Sequence, residues 1–149
     1  DAGGGCRIRL ESWENAERQA ARAAAAIARA EQDDTPLPPA PAAGEAPWFW
    51  TDQFDVNLQI VGWPAGAVTH VAREAGADKA MCFHFDAAGA LVGVELFNSG
   101  RERRAVRQLL AVGSTVDAAE LADPAVPLAT ALRNAQQRGV AAAPGNFQS

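Results

Sequence analysis

The stretch PWFWTDQFDVNLQIVG, Pro47 to Gly62, places two tryptophans and a phenylalanine directly before a segment in which apolar and polar residues alternate. Its apolar positions Val56, Leu58 and Ile60 recur every second residue, which is the period of a strand with one buried face. We therefore predict a strand over Asp55 to Val61. That strand leaves the aromatic surface before it unexplained.

The residues after this stretch predict the rest of a small domain. Three further segments favour strands, and Gly89 in DAAG suits a hairpin turn between the last two: Val68 to Ala72, Met81 to Phe85, and Ala90 to Phe97. RERRAVRQLLAVG predicts a helix that ends near Gly113, and a short turn or helix then leads to a final helix from about Leu128 to Arg138. The expected fold is α+β, with a small, mainly antiparallel sheet and packed helices over residues 47–138 and a flexible tail over 139–149.

The N-terminal part of the chain has a different character. Ser12 offers an N-cap hydroxyl to the helical segment WENAERQAARAAAAIARAE, in which Glu14 and Arg18 are spaced for an ion pair. Residues 32–46 are rich in proline and alanine and predict a semi-rigid linker. We expect residues 1–31, with a short extended lead-in at Arg7 to Leu10, to be the tail of a preceding domain.

Composition excludes several classes of function. The formal net charge of -5 disfavours nucleic-acid binding, and nothing in the sequence argues for a signal peptide or a membrane span, so we expect a cytoplasmic protein. Cys6 and Cys82 are expected to be packed thiols. His70 and His84 stand in predicted strands without a cysteine or carboxylate at ligand spacing, so no metal site is expected.

Several segments together resemble the C-terminal portion of FAD-dependent, NAD(P)H-dependent ferredoxin reductases. These segments are RLESWENAERQAARAAAAI, the linker, PWFWTDQFDVNLQIVG, the hairpin that ends near Asn98, and LADPAVPLATAL. The family includes reductase components of ring-hydroxylating dioxygenases and of bacterial cytochrome P450 systems. The resemblance covers the chain from about Arg9 to Leu132, and its most specific motif is Trp-Phe-Trp-Thr-Asp-Gln.

The resemblance implies that this chain borders a flavin. In such reductases an FAD domain and an NAD domain precede the C-terminal domain, so the helix after Ser12 resembles the last helix of an FAD domain otherwise absent from the chain. The backbone N–H of Trp13 is then expected at the pyrimidine end of the flavin, with Trp50 beside the flavin ring and Trp48 on the side facing the iron-sulfur partner. Without the resemblance, the tryptophans are more simply interpreted as core residues.

The resemblance also implies a route for electrons: from NAD(P)H to FAD and then singly to a [2Fe-2S] ferredoxin that serves an oxygenase. The sequence contains no GxGxxG after a predicted strand, so the chain alone is expected to be inactive and to bind neither FAD nor NAD tightly. Four arginines could guide an acidic ferredoxin or could simply form a solvated helix face: Arg101, Arg103, Arg104 and Arg107. The other interpretation is a non-catalytic interaction module or gene remnant that retains the reductase fold.

Overall fold

The computed structural model describes residues 9–31 and 46–142. The chain divides into two compact units, Asp1–Ala43 and Gly44–Ser149. The predicted linker lies outside the described residues except for Ala46, and residues 143–149 of the predicted tail lie outside them as well.

The described part of the first unit is one helix, α1, over Trp13–Glu31. Ser12 caps it as predicted, because the Asn15 backbone N–H donates to Ser12 Oγ at 3.3 Å. The Glu14–Arg18 pair also forms, at 3.2 Å. Arg9 and Leu10, the described part of the predicted lead-in, are not in a strand.

The second unit contains a five-stranded sheet in which every neighbouring pair is antiparallel. The spatial order is β1-β2-β5-β4-β3. The strands are β1 (Trp48–Gln53), β2 (Val56–Gly62), β3 (Thr69–Gly76), β4 (Lys79–Phe85) and β5 (Leu91–Phe97).

Three features of this sheet differ from the prediction. The buried face of β2 is the one that carries Val61, whereas the alternating residues Val56, Leu58 and Ile60 lie on the opposite face. The aromatic segment is itself a strand, β1, although WFWTDQ lacks the simple alternation of β2. The predicted strand over 68–72 is too short, because β3 continues to Gly76 through Arg73, a charged residue that is nevertheless buried. The hairpin prediction is confirmed: Gly89, at φ +78°, donates its N–H to the Asp86 carbonyl at 3.0 Å.

Three helices pack on one face of the sheet: α2 (Arg103–Ala111), α3 (Ala118–Ala122) and α4 (Leu128–Ala142). The predicted last helix therefore continues beyond Arg138 into the residues assigned to the tail. Fully buried side chains from strands and helices meet in one core, and each contributes roughly 1.5–3 kcal/mol by leaving water; the largest are Val61, Phe83, Val94, Leu96, Val106, Leu109 and Leu121.

The sheet has a core face and an outer face, since successive side chains of a strand alternate. On β4 the core face carries Met81, Phe83 and Phe85. The residues between them, Cys82 and His84, are only partly buried and lie on the outer face.

Candidate functional site

Trp48 and Trp50 form the first candidate site, at the β1 edge of the sheet. The two residues are two positions apart on one strand, so their side chains lie on the same face. Their rings stack with centroids 4.4 Å apart and planes inclined by 21°. This is the core face, because Trp48 pairs across the sheet with the buried Val61.

The Trp48 ring is held in place by the neighbouring strand. Its indole Nε1–H donates to Gln59 Oε1 at 3.0 Å, and the Gln59 amide nitrogen donates in turn to Asn57 Oδ1 at 2.9 Å. The Gln59 amide also lies against Gly100, where a Cβ would collide with it. Gln59 and Gly100 were not predicted from the sequence, because the alternation of β2 assigns Gln59 to the polar face, whereas Gln59 pairs with Trp50 on the face that carries the buried Val61.

Arg103 connects the aromatic pair to α2. Its guanidinium carbon lies 3.9 Å from the Trp48 ring centroid, a cation–π contact worth about 0.5–2 kcal/mol depending on its exposure to solvent. Arg103 and Arg107 are partly buried, whereas Arg101 and Arg104 are exposed. The four arginines are therefore not equivalent: Arg103 braces the tryptophan stack, and Arg101 and Arg104 present charge to solvent.

Ser12 and Trp13 belong to the first unit and are described with it alone. Ser12 is buried and caps α1, and Trp13 is the first residue of the helix, with 61% of its surface exposed. The positive end of the helix dipole lies at these residues. They supply a helix N-terminus and an exposed indole, both of which suit a flat, partly anionic ligand.

A second cluster of polar side chains lies on the outer face of the sheet. Cys82, His84 and Glu95 bring one ligand atom each to within 4.8 Å of one another. The expectation that His84 has no cysteine or carboxylate at ligand spacing is therefore wrong. The sequence signal was the Cys-x-His spacing, which puts both side chains on the same face of β4.

The environment of this cluster perturbs the cysteine. Burial raises the pKa of the Cys82 thiol, and the negative charge of Glu95 raises it further. His84 Nε2 lies 3.6 Å from Glu95 Oε1. The ring of His70, on β3, is 6.1 Å from the His84 ring, centroid to centroid.

The family of the second unit follows from a comparison with protein-family models. Residues 48–132, from the first tryptophan of β1 into α4, match the model described as "Reductase C-terminal". The chain belongs to this reductase C-terminal family. The resemblance inferred from the sequence is thereby confirmed, as is the α+β fold of an antiparallel sheet with packed helices.

Curated relatives of this family member are reductase components of dioxygenase systems. The ferredoxin–NAD(+) reductase component of the anthranilate 1,2-dioxygenase system of Burkholderia cepacia is 40% identical over 129 residues, which are 86% of this chain and 30% of the relative. The corresponding component for 3-phenylpropionate/cinnamic acid dioxygenase of Photorhabdus laumondii is 43% identical over 69% of this chain and 24% of the relative. The chain thus spans less than a third of the length of either relative.

Solved structures of similar proteins have the same fold. A ferredoxin reductase for the CYP199A2 system from Rhodopseudomonas palustris is 33% identical, with a TM-score of 0.62, over 84% of this chain and 29% of that one. The covalent putidaredoxin reductase–putidaredoxin complex includes a chain that is 27% identical, with a TM-score of 0.66, over 87% of this chain and 29% of its own. Among residues 9–31 and 46–142, none of the helices has the length and apolar character needed to cross a membrane.

Proposed function

We propose that this chain is the C-terminal part of an FAD-dependent ferredoxin–NAD(P)H reductase that supplies electrons to an oxygenase through a [2Fe-2S] ferredoxin. The curated relatives are named as ferredoxin–NAD(+) reductase components of dioxygenase systems, which supports this activity for the complete protein. The observation that carries the role of this chain is the Trp48–Trp50 stack braced by Arg103, which lies inside the segment matched to the family.

The tryptophan stack is suited to shielding a planar cofactor. Two stacked indoles give a wide, flat, apolar surface, and the orientation of Trp48 is fixed by Gln59 on one side and Arg103 on another. When bound, FAD would accept a hydride from NAD(P)H and release electrons one at a time. Trp50 would cover the flavin ring and exclude water, and Trp48 would lie towards the iron-sulfur partner.

The N-terminal helix α1 has features of its own that suit a flavin. The positive end of α1 at Ser12 and Trp13 would favour negative charge at the pyrimidine end of a reduced flavin. Two large apolar side chains of α1 are exposed, Trp13 at 61% and Ile27 at 64%, which supports the expectation that this helix packs against an upstream FAD domain. NAD(P)H would bind to a further upstream domain.

The arginines around the start of α2 would guide the ferredoxin. Arg101 and Arg104 are exposed within one turn of Arg103, so positive charge surrounds the residue that contacts Trp48. Electron-transfer encounters are small and electrostatically steered, and such a basic surface suits an acidic partner.

The test is the visible absorption spectrum of this chain and of a form extended upstream along its own reading frame, each purified after FAD supplementation. We expect flavin bands that NADH or NADPH bleaches in the extended form alone. Replacing Trp50 with Ala should shift those bands, because a ring in contact with the flavin would be lost. Trp63→Ala, at a tryptophan that is 44% exposed on the same unit, should leave them in place.

Two outcomes would contradict the proposal at different levels. A colourless extended form would contradict the proposed reductase activity and favour the interaction-module interpretation. If the flavin spectrum responded identically to Trp50→Ala and Trp63→Ala, the proposed activity would stand, but the proposed contact between Trp50 and the flavin would be wrong.

A further inference from the structure

Cys82, His84 and Glu95 form a compact set of donors on the outer face of the sheet. Cys82 and His84 are two residues apart on β4, and Glu95 lies directly across from Cys82 on β5. Their donor atoms all lie within 4.8 Å of one another, with His84 Nε2 and Glu95 Oε1 at 3.6 Å. Sulfur, imidazole nitrogen and carboxylate oxygen therefore converge on one point from two adjacent strands.

The histidine nitrogen in this set lacks the hydrogen bond that its burial calls for. His84 Nε2 is shielded from solvent and has no hydrogen-bond partner among the described residues. The His84 side chain as a whole is 17% exposed and that of Glu95 is 31% exposed. A buried polar atom without a partner destabilises a fold, so an additional ligand at this nitrogen would relieve a defect.

The residues that flank the donors limit the size of a ligand. Ala72 on β3 pairs with Cys82 and Gly93 on β5 pairs with His84, but His70 on β3 also pairs with His84, and Ile60 on β2 pairs with Glu95. The position that a Cβ on Gly93 would occupy is filled by Pro64, whose ring atom Cδ would lie 2.9 Å away. A small ion fits such a setting better than an organic ligand does.

We propose that Cys82, His84 and Glu95 bind one zinc ion, with a fourth position open to water or to another ligand. Zinc takes Cys, His and carboxylate ligands at about 2.0–2.3 Å, so tetrahedral ligand atoms lie roughly 3.3–3.8 Å apart. The His84–Glu95 separation already falls in this range, and no separation in the set needs to close by more than about 1 Å, which side-chain rotation can supply. A thiolate and a carboxylate together balance the divalent charge.

Zinc binding would release the proton of the Cys82 thiol to solvent and leave the thiolate as a ligand, which makes the affinity rise with pH. Since the ligands come from β4 and β5, the bound ion would fasten these two strands together. The inference concerns this chain alone and does not rest on the reductase activity.

The experiment is a titration of the 149-residue chain with Co²⁺, a spectroscopic substitute for zinc, in a Cys6→Ser background that leaves Cys82 as the only thiol. We expect saturation at one equivalent, with a thiolate-to-cobalt charge-transfer band and the strong visible bands of a tetrahedral site. Zn²⁺ should then displace the cobalt and abolish both. Zn²⁺ should also raise the midpoint of thermal unfolding in a concentration-dependent manner.

Matched variants identify the ligands. Cys82→Ser should abolish the charge-transfer band. His84→Gln and Glu95→Gln should each weaken Co²⁺ binding by about tenfold or more. Loss of a group that only hydrogen-bonds a metal ligand already lowers metal affinity about 10–100-fold, and loss of the ligand itself should cost at least as much. His70→Gln and Glu74→Gln change the same residue types on the neighbouring strand β3 and should bind as the parent does. Circular dichroism of each metal-free variant checks that it is folded.

The proposal would be overturned by a parent chain that shows no charge-transfer band in excess Co²⁺. It would equally be overturned if the band survived Cys82→Ser, or if His70→Gln abolished binding while His84→Gln did not.

Discussion

Phe54 occupies the tip of the β1–β2 hairpin in a conformation that its side chain disfavours. Its φ is 57°, in the left-handed region, and its side chain is fully exposed at 104% relative accessibility. For a residue with a Cβ this conformation costs about 1–2 kcal/mol, although Asn tolerates it better than most residues do. The ring gains no burial that would offset this cost.

We therefore predict that Phe54→Asn raises the free energy of unfolding by about 0.5–1 kcal/mol. Phe54→Ala is the matched control, since it also removes the ring but keeps the preference against a positive φ. Urea denaturation of the two variants and the parent measures the difference. If Phe54→Asn were no more stable than Phe54→Ala, backbone strain at this turn would not be the reason.

At the scale of elements, Arg73 links β3 to the connection between α3 and α4. Arg73 is 7% exposed, and its Nη1 donates to the carbonyls of Leu121 and Asp123 at 3.3 and 2.9 Å. Its Nη2 donates to the carbonyls of Pro124 and Val126 at 3.4 and 2.9 Å. One guanidinium therefore holds the LADPAVP segment, which contributed to the family resemblance.

We predict that Arg73→Lys lowers the free energy of unfolding by about 2–3 kcal/mol, because an ammonium cannot reproduce the fork and would leave buried carbonyls without donors. Arg133→Lys is the control, since Arg133 is exposed and donates to Thr130 Oγ1; it should change stability by no more than about 0.5 kcal/mol. Chemical denaturation of both variants gives the comparison. Equal, small losses would mean that the LADPAVP segment holds its shape without Arg73.

Some strands and strand pairings could be predicted from the sequence, and others could not. Alternation identified β2 as a strand, and the Asp86–Gly89 turn identified the β4–β5 hairpin, because both patterns are local. Alternation assigned the wrong face of β2 to the core, since the fully buried residue is Val61, and Ile60 lies on the outer face opposite Glu95. The Cys82–Glu95 pairing was not accessible in this way, since an irregularity between His84 and Phe85 shifts the register. If the pairing of Phe85 with Leu91 continued along the strands without that shift, Cys82 would pair with Val94, and Glu95 would lie on the core face.

The tryptophan site was also predicted only in part. The residues Trp48 and Trp50 could be named from the motif, but β1 was not recognised as a strand and the stack was not foreseen. The contact between Arg103 and Trp48 joins residues far apart in the chain, and such long-range packing leaves no periodic signal in the sequence. The buried position of Arg73 escaped prediction similarly, as a charged residue on a core face contradicts the pattern used to find strands.

At the scale of the whole molecule, the net charge of -5 contrasts with the concentration of arginines at the start of α2. An acidic protein that keeps a local basic surface can orient an acidic partner while repelling it elsewhere. Because Arg103 also braces Trp48, a substitution of Arg103 would alter both the electrostatic steering of the partner and the geometry of the tryptophan stack. The exposed residues Arg101 and Arg104 separate the two effects.

We predict that Arg101→Glu/Arg104→Glu, made in the upstream-extended protein, lowers kcat/KM for ferredoxin reduction by roughly tenfold at low ionic strength and weakens its dependence on salt. Reduction of ferricyanide, a small acceptor that needs no protein docking, should be unchanged. Lys79→Glu/Arg133→Glu is the control, because it reverses two exposed positive charges on β4 and α4 and alters the net charge equally. If both double variants slowed ferredoxin reduction alike, net charge alone would account for the effect; if neither did, the arginines at the start of α2 would form only a solvated helix face.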